Sequence, residues 1–233
     1  MATQGRNAPC RCGSGRKYKN CHWWRDRQQE TLVATAMHES GHVIATFHYG
    51  VSIGDRGVFI TDDGSGFTDS NKTEKWGEHR IIDLGREVRL AHFVISVIGP
   101  VVEFHHRNME VDALRQADIE PWMGDFAGAM GYQGAHRTSI AVFSPGEYQA
   151  VRNLALGCFT MLTHPEGATA RVSLVGTDVG AELKEAMLIA DKIASVYATE
   201  IKLFADLLLA KKGVSKDECA EWACNFQRKS VGG

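Results

Sequence analysis

Apolar residues recur at helical spacing between residues 31 and 49, where Leu32, Val33, Ala36, Met37, Val43, Ile44 and Phe47 form one stripe. The same period returns over 81–107, in Leu84, Val88, Leu90, Ala91, Val94, Val97 and Ile98. Each pattern predicts an amphipathic helix. Between them the spacing changes: Val58-Phe-Ile-Thr61, then the turn Asp62-Asp63-Gly64-Ser65-Gly66, then Phe67-Thr68, predicts a β-hairpin. The acidic turn does not have calcium-loop spacing. Asp125 stands at the start of an apolar, small-residue stretch, where the helix dipole favours an acid. The last third predicts helices over 148–162, 180–209 and 215–226, with Ser215 and Glu218 spaced as a capping box. The expected fold class is α+β, predominantly helical, with one hairpin or small sheet.

Length and composition narrow this only modestly. A chain of 233 residues can bury a real core, and 44% hydrophobic with 23% charged residues excludes wholesale disorder. Twenty-six basic against twenty-eight acidic residues give a net charge of −2, which makes no global case for nucleic acid or an anionic membrane as partner. The longest apolar stretch, 93–104, contains Pro100 and Glu103 and falls short of the ~18 residues of a spanning helix. The N-terminus has no apolar signal-peptide core, so the cytoplasm is the expected compartment. The charge is uneven, however. Arg6, Arg11, Arg16, Lys17, Lys19, Arg25 and Arg27 face a single early acid, Asp26. This sets a small basic head, 1–24, apart from a body, 25–233, which divides into a first half, 25–145, and a helical remainder, 146–233.

Cysteines cluster in that head. Cys10, Cys12 and Cys21 fall close together and His22 follows directly. Three thiolates and an imidazole form a closed tetrahedral zinc set of structural type, and so short a segment needs metal binding to fold. Gly13 and Gly15 supply the tight turn. The segment resembles the SEC-C motif, the zinc-binding tail of the protein-export ATPase SecA, with Ala8 and Arg11 departing from the usual pattern at positions that are not ligands. The resemblance implies a docking module for a chaperone or the ribosome. Cys158, Cys219 and Cys224 have no ligand partners at suitable spacing and are expected as small buried hydrophobes.

The helix over 31–49 carries His38-Glu39-Ser40-Gly41-His42. Two histidines four apart on a helix differ by about 40° and about 6 Å, so both rings can reach one metal ion. Glu39 beside them can take a proton from a water that zinc makes acidic. This H-E-x-x-H pattern belongs to zinc metallopeptidases. Gly41 inside the helix points to close packing against a neighbour. A third ligand is required. His48 has metzincin spacing, but Ala45-Thr46-Phe47 continue the helix and carry it away, so it is expected as a helix-end residue.

Here the chain resembles a second family, the FtsH protease domain. Ala36-Met37-His38-Glu39-Ser40-Gly41-His42 is similar to its H-E-A-G-H helix, Gly99-Pro100-Val101-Val102-Glu103 to its G-x-x-A-E helix, and Gly124-Asp125-Phe126 to its N-D-[IL] segment. Residues 201–218 are similar to its closing helices. Ser40, Pro100 and Gly124 depart from that pattern. The resemblance implies a zincin fold, zinc held by His38, His42 and Asp125, Glu39 as general base, and Glu103 as a carboxylate steering a ligand histidine. It further implies that the hairpin's edge strand holds substrate by strand addition.

The leading expectation is a zinc-dependent endopeptidase with one catalytic and one structural zinc, acting on unfolded or recruited proteins. FtsH proteins feed substrates with an ATPase ring, and no G-x-x-x-x-G-K-[ST] occurs here. A second reading is a peptidase-like adaptor that binds and does not cut. A third is a nucleic-acid or ribosome binder using Tyr18, Trp23 and Trp24 of the basic head, although such aromatics more often pack a small module onto its neighbour. The C-terminal helices are expected to be scaffold and a self-association surface.

Overall fold

The computed structural model describes residues 4–77, 83–109, 119–129, 149, 152–153, 155–159, 162 and 177–231. The longest element is helix α1, Trp23–His48. It starts well before the apolar stripe, because His22 stands at its N-cap and the chain enters the helix straight from the cysteine-rich head. The boundary expected at 24/25 thus lies within α1, and head and body share one helix; the 145/146 boundary lies outside the described residues. From His38 to Phe47 every residue is buried, so this part of α1 is covered all round rather than along one stripe. The covering elements are α3 (Arg86–His106), the sheet, and α6 (Ala198–Lys211).

The glycine at position 41 is explained by the α1–α3 crossing. A Cβ there would lie 3.0 Å from Val102 Cγ2 and 3.3 Å from the Ile98 carbonyl oxygen. Without it the two helices approach closely, as the sequence anticipated. Pro100 lies inside α3 without ending it. The helix is long and apolar enough to cross a membrane by length and composition, which the stretch 93–104 alone did not indicate. In this fold 72% of its apolar window is buried, and α3 serves as the central core helix.

The hairpin forms as anticipated and extends further. Strand β1 (Ile53–Ile60) pairs antiparallel with β2 (Gly66–Ser70), with Ile60 opposite Gly66 and Val58 opposite Thr68. A bulge between Ile53 and Val58 shifts the register. A third strand, β3 (Gly213–Val214), stands inside the stretch 201–218 expected as closing helices. It is too short to leave a periodic signal and forms because Val214 and Gly213 pair with Val58 and Phe59. The sheet order is β2-β1-β3, so β2 is an edge.

Short helix α2 (Lys72–Trp76) follows β2, and α4 (Met123–Ala129) carries Asp125 in its first turn. The helix expected over 180–209 is two helices, α5 (Thr177–Val196) and α6, parted at Tyr197. That ring is fully buried against Phe226, and its hydroxyl accepts the Lys229 N–H at 2.6 Å, so tertiary contacts override local helix preference. Helix α7 (Lys216–Cys224) begins with the Ser215–Glu218 capping box, both of its bonds present. Of the helix expected over 148–162, the described residues are helical and the others lie outside them.

One part of the core lies between α1, α3, α4 and α5 around Ile98, Val101, Phe126 and Met187. The other joins α1 to the sheet, α6 and α7 through Val43, Val58, Phe204 and Leu208. Cys158 and Cys219 are buried as expected, but Cys224 is exposed. Five residues beyond Cys219 on the same helix, it is rotated about 140° from that buried side.

Candidate metal centres

In the head, Pro9 bridges to Lys17 across a turn in which Gly13 and Gly15 adopt φ of 75° and 71°. The turn brings Cys10 Sγ to 3.1 Å and Cys21 Sγ to 3.2 Å from His22 Nδ1, and Cys12 Sγ to 3.5 Å from Cys21 Sγ. Hydrogen bonds from the Ser14 side chain and backbone hold the Cys12 thiol down to about 6, ready as a thiolate. These four residues form a group able to hold one metal ion. The aromatic residues of the head are largely engaged in its own packing. Tyr18 is buried with its hydroxyl on Asp26, and Arg6 covers the Trp23 ring at 4.8 Å; Trp24 is exposed.

The second group lies where α1, α3 and α4 meet. His38 Nε2 is 3.1 Å from His42 Nε2 and 3.2 Å from Asp125 Oδ2, and His42 Nε2 is 3.5 Å from Asp125 Oδ1. A tetrahedral zinc ion with ligand bonds of ~2.0–2.1 Å has ligand–ligand edges of about 3.3 Å, so the three distances fit such an ion. The opposite nitrogens are anchored. The Nδ1–H of His38 donates to Glu103 Oε2 at 3.0 Å, and the Nδ1–H of His42 donates to the Ile95 carbonyl at 2.6 Å. Both Nε2 atoms thus face the centre and offer their lone pairs to an ion when the rings are neutral. Glu103 is held in turn by the Trp122 indole N–H at 2.7 Å and by Arg107 at 2.7 Å.

Gly99 forms the floor. A Cβ there would stand 2.4 Å from His42 Nε2 and 2.6 Å from His38 Nε2, closer than any carbon sits. The missing side chain leaves a volume that a metal ion, with its shorter bonds, can occupy. Glu39 lies alongside. Its Oε2 accepts the Thr68 hydroxyl at 2.7 Å, and Gly66 of the same strand passes so close that a Cβ would meet Oε1 at 2.4 Å. Strand β2 is thereby fixed against the Glu39 carboxylate. His48 is remote from the centre, capped by the Tyr197 hydroxyl at 3.0 Å.

Thr68, Trp122, Gly99 as floor and Lys72 were not singled out by sequence reasoning. The Lys72 ammonium donates to Ser96 Oγ at 3.1 Å, and burial pushes it down to about 8, partly opposed by Asp125. The hairpin that contains Thr68 and the Gly99-Pro100 pair of the FtsH-like stretch were the available signals.

The charges of this centre are coupled. Burial disfavours a charged His38, but Asp125 and Glu103 outweigh it and hold its pKa well above the usual range. Burial raises Glu39. Against the cost of burial, His38 and the Trp122 N–H hold Glu103 down to about 2, and the two histidines hold Asp125 far below the usual range. The signs can be checked on metal-free protein. The lowered carboxylates contribute stability that is present above their unfolded values of about 4 and lost on acidification. His38 contributes stability that is present below about pH 6.5 and lost as pH rises through its folded value, and the Glu39 penalty also grows with pH. Metal-free protein should therefore melt highest between about pH 4 and 6.5. Zinc needs the neutral imidazole, so zinc-loaded protein should lose the alkaline decline. Thermal melts across pH with and without zinc measure both; a metal-free melting temperature that keeps climbing above neutrality would contradict a charged His38.

Residues 6–23 match the SEC-C motif, which is a zinc-binding module. Over 29 residues, 12% of this chain and 3% of the other, the sequence is 62% identical to the protein translocase subunit SecA of Roseiflexus sp. (strain RS-1). No solved structure matches the chain. The motif match covers all four potential ligands of the head and ends before His38; the likeness to FtsH rests on the sequence pattern alone.

Proposed function

We propose that the protein is a zinc-dependent endopeptidase of FtsH-like type, acting on unfolded or recruited protein segments, with the SEC-C head as its docking module. The observation that carries this reading is the convergence of His38, His42 and Asp125 on one point, floored by Gly99 and flanked by a buried glutamate. Those three residues would hold the ion. When bound there, zinc supplies a Lewis acid that polarises the scissile carbonyl and acidifies a water near neutral pH.

The rest falls to the chain itself. Glu39 takes the proton of the attacking water and delivers it to the leaving amine. Thr68 aims that carboxylate, and burial raises its proton affinity. Glu103 and the Ile95 carbonyl fix the two imidazoles. Strand β2 is paired only with β1 among the described residues, so its free edge can take an extended peptide as an added strand next to Glu39. The likeness of the head to SecA supports a partner in protein translocation, with a chaperone or the ribosome as the docking partner of this reading.

Zinc content and proteolysis test the reading together. Purified full-length protein should carry two zinc ions per chain, the Cys10→Ser/Cys12→Ser variant one, and both should cut unfolded casein. Two zinc ions without cleavage of casein would favour the adaptor reading. One zinc falling to none in the variant would remove the catalytic centre altogether.

A further inference from the structure

Lys72 is the first residue of α2 and lies just past the end of β2. Its ammonium reaches across to Ser96 Oγ, and Ser96 in turn donates to the His92 carbonyl at 3.0 Å. Ser96 is buried, adjoins the residue whose carbonyl anchors His42, and lies one helical turn before Gly99. The positive charge therefore stands on the stretch of α3 that floors the centre. Among the described residues, Ser96 is its one hydrogen-bond partner and it forms no ion pair; the field of Asp125 reaches it from beyond ion-pair distance. An ammonium has three donors, so two have no partner among the described residues. A partly buried cation whose nearest acid stands beyond contact distance gains most when an anion completes the site.

We propose that Lys72 is a specificity-determining residue of the peptidase site, pairing with a carboxylate that the bound peptide carries a few residues beyond the bond that is cut. The carboxylate is the peptide's C-terminus or an Asp or Glu side chain. The inference rests on the peptidase reading and on β2 as the receiving edge. A peptide added along β2 past Thr68 runs toward Lys72, two residues or about 7 Å beyond the strand end.

The test uses the full-length, zinc-loaded protein carrying Glu39→Gln, so that bound peptide stays intact. It is titrated with a labelled hexapeptide as free acid and as amide, and with a second, amidated pair carrying Glu or Gln at one internal position. In one of the two pairs the charged member should bind about tenfold or more tightly, as one charge-assisted hydrogen bond supplies. The responding pair identifies the source of the carboxylate. Lys72→Met should abolish the preference and Lys72→Arg should retain it, with zinc content and circular dichroism unchanged. Equal affinities within both pairs in the lysine protein, a preference that survives Lys72→Met, or no binding of any peptide to the folded, zinc-loaded chain would each overturn the proposal. The acid–amide comparison needs no change at Lys72, so it stands even if Lys72→Met does not fold. Failure of the peptidase reading would register separately, as wild-type protein that discriminates these peptides but leaves casein intact.

Discussion

Glu39→Gln should reduce turnover by about 10²–10⁴-fold, the range for loss of a positioned general base, while fold and zinc content stay as they are. The substitution changes almost nothing but the proton affinity. Glutamine has the same shape, and its amide oxygen can still accept the Thr68 hydroxyl that now reaches Oε2 at 2.7 Å. It also fits beneath Gly66, where no larger group would. What it cannot do is take a proton from water. Glu39 is not among the three residues grouped around the centre, so the ion loses no ligand. One secondary change is expected. Glu39 is among the acids that raise His38, so its neutral replacement should bring the acid limb of zinc binding to slightly lower pH. Cleavage of casein, metal content by mass spectrometry and thermal melting on the same preparation separate these effects. Undiminished cleavage by the purified variant would remove Glu39 from the mechanism; loss of zinc with the activity would make it a structural residue.

The centre was legible in the sequence as far as its parts lie within one element. His38, Glu39 and His42 belong to slightly more than one turn of one helix, so spacing alone fixes their geometry. The four residues of the head are legible for the same reason, being contained in one short segment from Cys10 to His22. The Ser215–Glu218 capping box is local and forms as written. Asp125 and Glu103 lie on other helices; the apolar stretch it opens marked Asp125 as a helix-start acid, and only the family resemblance gave the two their roles at the centre. Thr68 and Lys72 were not legible at all, because their roles depend on how the hairpin packs on α1 and α3. The same holds for β3, which exists only through its pairing with β1. The break at Tyr197 likewise follows from contacts with Phe226 and Lys229, far along the chain. His22 had a second role that periodicity could not reveal: it is both a potential metal ligand and the N-cap of α1. The head is thereby joined to the helix that carries His38 and His42, and about 24 Å of helical rise separates His22 from His38.

Gly99→Ala should empty the second centre while sparing the first, with zinc content falling from two per chain to one and proteolysis lost. An alanine Cβ would stand 2.4 Å from His42 Nε2 and 2.6 Å from His38 Nε2. Neither ring can turn away cheaply, since their Nδ1 atoms are tied to the Ile95 carbonyl and to Glu103. Parting the helices would give up the close packing of α1 on α3 across Gly41, beside Val102 and the Ile98 carbonyl. The methyl group therefore takes the space an ion would fill. Overpacking of this kind costs about 1–3 kcal/mol, against which alanine gains up to about 1 kcal/mol of helix propensity over glycine. The net loss should be small enough for the variant to fold, so that an empty centre reflects exclusion rather than unfolding. Gly85→Ala is the matched control, because a Cβ at Gly85 has no neighbour within 4 Å. It should keep both ions and full activity. If folded Gly99→Ala protein still carried two zinc ions, the ion would have to lie elsewhere than above Gly99, and the assignment of His38 and His42 as joint ligands would fall with it.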